Sequence, residues 1–235
     1  MKKLFSKIND ALIKHFGVPE RNQEYSDPLD VLIGTILSQN TTDRNSWQAY
    51  QNLKEKFPEW EQVLSLTPQE LAQVIKSAGL INQKANAILD VLKEIKIKNG
   101  ELNLDFIKDL SDDEILDYLT SFKGVGVKTA SCVLLFSLKR NFCPVDTHVN
   151  RIINRVGGVK SAAPDKTFAL IRKHIPENQG HSFHTNLLLL GRQYCRPQKP
   201  DCAACPIEKL CKYKEKEFTN LNKYKFNDFL LLEKL

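Results

Sequence analysis

Residues 122–130 read FKGVGVKTA, and the rest of the chain is read outward from them. Gly124 and Gly126, two apart, predict a tight backbone turn, because glycine enters conformations that a side chain resists. The apolar run TASCVLLFSL, residues 129–138, predicts a helix leaving that turn. Lys128 then stands in the helix's first turn, where an exposed cation opposes the dipole by up to ~1 kcal/mol. A residue set against local stability asks for a chemical reason.

Helix signals dominate elsewhere as well. TPQELAQVIKSAG (67–79) opens with Thr67 as N-cap, Pro68 at the first helical position and Glu70 closing a capping box, and it ends at Gly79. SDDEILDYLTSFKG (111–124) repeats the pattern with Ser111 and Glu114 and ends at Gly124. Asp27 and Pro28 start DPLDVLIGTILSQNTTD (27–43), Asp146 can cap THVNRIINRVGG (147–158), and Pro164 with Asp165 precedes KTFALIRKHI (166–175). At the amino end Leu4, Phe5, Ile8, Leu12, Ile13 and Phe16 recur at helical spacing. There is no run of strand-like alternation, so the fold class expected is all-α.

With 235 residues the chain can form one large domain or two lobes. The longest apolar runs, CVLLFSL and NLLLLG, are far shorter than the ~20 residues of a membrane span. No continuous apolar core follows the amino-terminal lysines, so a cytoplasmic protein with no membrane partner is expected. A net charge of +6 is compatible with a polyanionic partner but is weak support alone.

The glycine turn supplies a firmer argument. Amides at the start of the second helix can hold a phosphate oxygen, which is how a helix-hairpin-helix grips a nucleic-acid backbone without reading bases. The plainer reading is a simple corner between helices; Lys123 and Lys128 on either side favour DNA. Lys128 also has two readings. It neutralises phosphate, or the helix start and partial burial lower its pKa and leave a neutral amine as nucleophile. Asp146, in CPVDTHVNRI (143–152), needs no role beyond N-capping. If it shares a cleft with Lys128, its carboxylate can relay a proton from the amine and stabilise positive charge on a sugar.

Of six cysteines, Cys132 and Cys143 read as small buried side chains. The other four, Cys195, Cys202, Cys205 and Cys211, follow C-x6-C-x2-C-x5-C in CRPQKPDCAACPIEKLC. Four thiolates in one loop suit tetrahedral zinc or a cubane iron–sulfur cluster, and the spacing alone leaves that choice open.

In order and separation, FKGVGVKTA, PVDTHVNR, LGRQYC and the cysteine loop resemble the endonuclease III family of helix-hairpin-helix DNA glycosylases. The resemblance runs from the segment containing ILSQNTTD to Cys211. It implies two helical lobes flanking a DNA-binding cleft: a six-helix barrel over residues 30–140, and an iron–sulfur domain of residues 1–29 plus 141–211, leaving 212–235 as a tail of unknown role. It implies a [4Fe-4S] cluster on the four cysteines, Lys128 as the nucleophile that attacks C1′ of a damaged nucleotide, and Asp146 as its activating partner. Gly124, Val125 and Gly126 with Lys123 would grip the phosphate backbone, and His148 and Lys199 would add DNA contacts. The partner implied is duplex DNA with damaged bases or abasic sites, met on chromosomal DNA by a monomer.

LSQNTTD (37–43) departs from the family's LSAQATD, so Gln39 and Asn40 both stand as gap fillers for a vacated base stack. GLINQKA (79–85) resembles the opposite wedge loop, with Leu80, Ile81 and Asn82 as its contacts. Leu190 stands where a histidine is common before GR. The activity implied is excision of damaged bases, oxidised pyrimidines above all, from duplex DNA through a lysine Schiff base, with strand cleavage 3′ of the abasic site by β-elimination. The rivals are a monofunctional glycosylase for alkylated or mismatched bases, and a non-catalytic DNA-binding or redox module.

Overall fold

The computed structural model describes residues 1–21, 26–218 and 230–235. Every regular element among them is helical, as the capping signals require. The α-helices are α1 (Lys2–Phe16), α2 (Pro28–Ser38), α3 (Asp43–Lys56), α4 (Trp60–Leu64), α5 (Pro68–Val74), α6 (Ile81–Asn99), α7 (Asp112–Thr120), α8 (Val127–Cys132), α9 (Thr147–Arg155), α10 (Pro164–Ile171) and α11 (Gly180–Gln193). They gather into two compact units, counting in each only the described residues. One is Met1–Arg21 with Lys139–Asp228, and the other is Asn22–Leu138 with Phe229–Leu235.

The second unit is organised around α2. Every residue from Pro28 to Leu37 except Asp30 is buried, and a helix apolar on all sides must be covered all round. α3, α6 and α8 supply that cover. Each fully buried aliphatic side chain, Leu32, Ile33, Ile36 and Leu37 among them, contributes about 1.5–3 kcal/mol through removal from water. The chain's last residues join this core: Leu231 is buried, the Ser26 hydroxyl donates to the Leu235 carbonyl at 2.9 Å, and a Cβ on Gly34 would collide with the Leu235 side chain. Part of the expected tail is therefore packed, while residues 219–229 lie outside the described residues.

In the other unit α1 and α9 both pack on α11. Phe5, Ile8 and Leu12 of α1 and Phe183, Leu187 and Leu190 of α11 are buried, with the Phe5 and Phe183 rings 5.3 Å apart.

The caps form where the side chains dictate. Asp27 Oδ1 accepts from the Leu29 and Asp30 amides at 2.7 and 3.1 Å. Thr67 with Glu70 and Ser111 with Glu114 close reciprocal capping boxes. Two segments depart from the expected pattern. The helix begun at Asp27 ends at Ser38 instead of running on through the NTTD residues. Asn40 turns left-handed with φ 52°, and the Thr42 hydroxyl caps α3 by accepting from the Asn45 amide. Asparagine tolerates that conformation and threonine offers a new cap, so the chain restarts a helix there. In the second segment, α8 gives way after Cys132 to a π turn over Val133–Ser137.

Candidate nucleic-acid interface and metal centre

The glycine turn lies between α7 and α8. Gly124 has φ 86°, a conformation closed to side chains, whereas Gly126 has φ −93° and needs no special freedom. What Gly126 provides is space, since beyond its own stretch of chain no described atom lies within 4 Å of where its Cβ would be. The α8 ladder starts with Ala130 N–H to Gly126 O at 3.0 Å, so the amides before it belong to the helix's unpaired first turn. Lys123 is exposed, and Lys128 is half-buried at the second position of α8. Val125 is 5% exposed, which limits it to backbone contact with any ligand.

Two further loops of the same unit carry the wedge candidates. Asn40 is exposed and Gln39 half-buried between α2 and α3. Leu80, 50% exposed, N-caps α6 with φ 48° and ψ 38°. A large apolar residue held left-handed is a backbone outlier. Ile81 is half-buried and Asn82 exposed behind it.

The remaining site residues lie in the other unit. Asp146 N-caps α9, Oδ1 accepting from the Val149 amide at 2.8 Å. Only one carboxylate oxygen is used this way, so capping and a chemical role are compatible. His148 Nδ1 accepts from Arg151 Nη2 at 3.0 Å, an assignment that follows because a guanidinium only donates. Burial lowers the His148 pKa. Gly191 makes room for this ring, because a Cβ there would stand 2.6 Å from His148 Cβ. Leu190 is fully buried, and its carbonyl accepts from the Cys195 amide at 2.8 Å.

Cys195, Cys202, Cys205 and Cys211 form no disulfides and line one shared space with Arg155, Tyr194 and Tyr213. Among the described residues, no three metal-binding side chains converge on the point a single ion would occupy. Burial pushes the Cys205 thiol up to about 12 and raises Cys211 as well. A cationic centre would reverse this and favour the thiolates, and four sulfurs facing one space suit soft metals. Two arginines of α9 brace the loop. Arg151 Nε donates to Cys195 O at 2.7 Å. Arg155 Nη1 reaches Cys195 Sγ at 3.3 Å and Arg196 O at 2.7 Å, and its Nη2 reaches Pro197 O at 2.9 Å. Neither arginine stands out in the sequence by type, although their i, i+4 spacing in NRIINR signals one shared helix face. Lys199, exposed at the loop tip with φ 47°, accepts from Arg196 through its carbonyl.

Residues 33–177 match the family described as HhH-GPD superfamily base excision DNA repair protein. Endonuclease III of Thermotoga maritima is 33% identical over 210 residues, which cover 89% of this chain and 93% of that protein. The chain belongs to the endonuclease III family. Endonuclease III of Haemophilus influenzae is likewise 33% identical, over 84% of this chain and 90% of its own. A solved structure of a trapped endonuclease III–DNA covalent intermediate superposes with TM-score 0.76 at 27% identity, covering 90% of this chain and 96% of that one. A thermostable thymine-DNA glycosylase gives 0.74 at 25% identity, over 90% and 96%. The chain is thus an endonuclease III-like DNA glycosylase of base excision repair. Among the described residues no helix is long and apolar enough to cross a membrane.

Proposed function

We propose that this member of the family is a bifunctional glycosylase and abasic-site lyase for oxidised pyrimidines in duplex DNA. Lys128 carries the reading: an amine in the first turn of α8, beside the open face of Gly126, where helix stability favours no cation. The unpaired amides that open α8 at the glycine turn bind the DNA backbone, and the damaged nucleotide leaves the stack to be reached. The Lys128 amine attacks C1′, the C1′–N bond breaks, and the base departs with the electron pair. Asp146 accepts the proton lost by the amine and stabilises positive charge on the sugar. The sugar opens to a Schiff base with Lys128. Loss of a C2′ proton then expels the 3′ phosphate, and water releases the lysine. That a relative of this fold has been trapped covalently on DNA supports the same chemistry here.

The likeness to a thymine-DNA glycosylase favours a second reading, release of a mismatched base by water attack. Such a reaction needs no amine, and Lys128 weighs against it. Duplexes carrying one oxidised thymine, or one G·T mismatch, separate the two. The first is expected to lose its base and be cut in the same reaction; base release from the mismatch alone, with no cutting, would support the second reading.

Cys195, Cys202, Cys205 and Cys211 fit a [4Fe-4S] cluster, which when bound supplies the charge that keeps the four sulfurs as thiolates and fixes the loop. The loop's own residues then present Arg196 and Lys199 to phosphate. Purified without air, the protein is expected to be brown, with about four irons per chain, and Cys202→Ala is expected to lose that iron. Stoichiometric zinc instead would contradict the assignment.

A further inference from the structure

Lys84 is a buried cation that the proposed chemistry leaves unused. It lies in GLINQKA on the first turns of α6, where an exposed lysine would be unremarkable, yet it is only 3% exposed. Its Nζ donates to the carbonyl of Leu37 at 2.8 Å and to that of Ala78 at 2.7 Å. These carbonyls end the segments that enter the two wedge loops. Leu37 lies three residues before left-handed Asn40, and Ala78 two residues before left-handed Leu80. The Ser77 hydroxyl adds a second tie by donating to Asn45 O, on the helix that follows the Asn40 loop, at 3.0 Å.

A buried ammonium is costly unless its donors are used. Here two of three protons go to backbone groups that would otherwise stand unpaired at helix ends. Burial draws the Lys84 pKa down to about 8, while the two carbonyls favour the charged form. The local conformations need such a fastening. Leu80 holds a left-handed backbone that a bulky side chain keeps only where its surroundings impose it.

We infer that Lys84 is a positioning residue that fixes the Gln39–Asn40 loop and the Leu80–Ile81 loop in one mutual register for entry into opened duplex DNA. This rests on the proposed function, in which those loops fill the space left by the flipped nucleotide. One ammonium bonded to the last turns of the two segments that lead into these loops makes the loops' positions interdependent, so losing it affects base extrusion more than the chemistry that follows. A cytosine-analogue or adenine-analogue probe whose fluorescence reports unstacking reads that step directly.

The test compares native protein with Lys84→Met, which keeps the side chain's length and removes all donors. Base excision from a paired oxidised thymine is expected to fall at least tenfold, with the unstacking signal of 2-aminopurine beside the lesion lost in proportion. Cleavage of a preformed abasic duplex, where no base must be extracted, is expected to stay within about threefold. Iron content and α7–α8 amide exchange should match native protein, while exchange at residues 38–42 and 79–82 rises together. If the methionine variant does not fold, Lys84→Gln, which is shorter and uncharged but keeps a polar amide, takes its place and is expected to show the same ordering of losses. Equal losses on both substrates, or faster exchange in one loop only, would overturn the positioning role. Native protein that processes neither duplex would instead overturn the proposed function, and the role of Lys84 with it.

Discussion

Replacing Lys128 by alanine is expected to abolish strand cleavage at an abasic site, with a loss on the order of 10³-fold or more, and to stop release of an oxidised base as well. One amine serves both steps, so no partial activity should survive in either. The same change is expected to leave the fold intact. The Lys128 amine has no hydrogen-bond or ion-pair partner among the described residues, and the side chain is half-buried at the start of α8. Alanine removes a cation from the positive end of a helix and is a better helix former there, so Tm should hold or rise slightly. Lost activity without lost stability would mark a side chain kept for chemistry. Melting curves alongside a gel assay on abasic duplex read both quantities.

Asp146 requires a finer comparison, because it already performs a structural task. Its Oδ1 caps α9 through the Val149 amide, and asparagine caps about as well as aspartate. Asp146→Asn should therefore keep Tm near native while base excision drops by roughly 10²–10⁴, the range for losing a positioned acid–base group. Asp146→Ala should lose the same activity and also about 1 kcal/mol of stability with the cap. If the asparagine variant excises bases at the native rate, the carboxylate is a cap and nothing more. Single-turnover rates on a paired lesion, with melting curves on the same samples, decide between these outcomes.

The order of the helices was legible because their ends are written in short-range chemistry. Thr67 with Glu70, Ser111 with Glu114, Asp27 before Pro28 and Asp146 before THVNR each act over three or four residues. No distant partner is needed to read them. The four-cysteine loop was legible for a related reason, since its ligands lie within one short segment. Features that depend on packing stayed hidden. Lys84 looks like a surface lysine until α2 and the Ala78 segment bring carbonyls to it. The π turn at Val133–Ser137 lies in a run apolar on every side, where hydrophobic spacing does not distinguish helix types. Gly34, in mid-helix, is a weak helix former whose reason is the distant Leu235 side chain. LSQNTTD contained a legible signal that was misread: Asn followed by Thr-Thr-Asp marks a helix end and a fresh cap, and the apolar period before it hid the break.

Stability and function also conflict in this unit in a consistent way. Lys128 sits at the wrong end of a dipole, and Asn40 and Leu80 are left-handed. Local conflicts of this sort cluster where a protein engages a ligand. Capped helices and a core around α2 supply the stability that tolerates them.

The most direct measurement is covalent capture. Borohydride added while the native protein acts on an abasic duplex should reduce the Schiff base and yield a stable protein–DNA adduct, with peptide mass spectrometry locating the added sugar on Lys128. Lys128→Ala should give no adduct. Strand cleavage by native protein with no adduct, or an adduct mapped to another amine, would contradict Lys128 as the nucleophile.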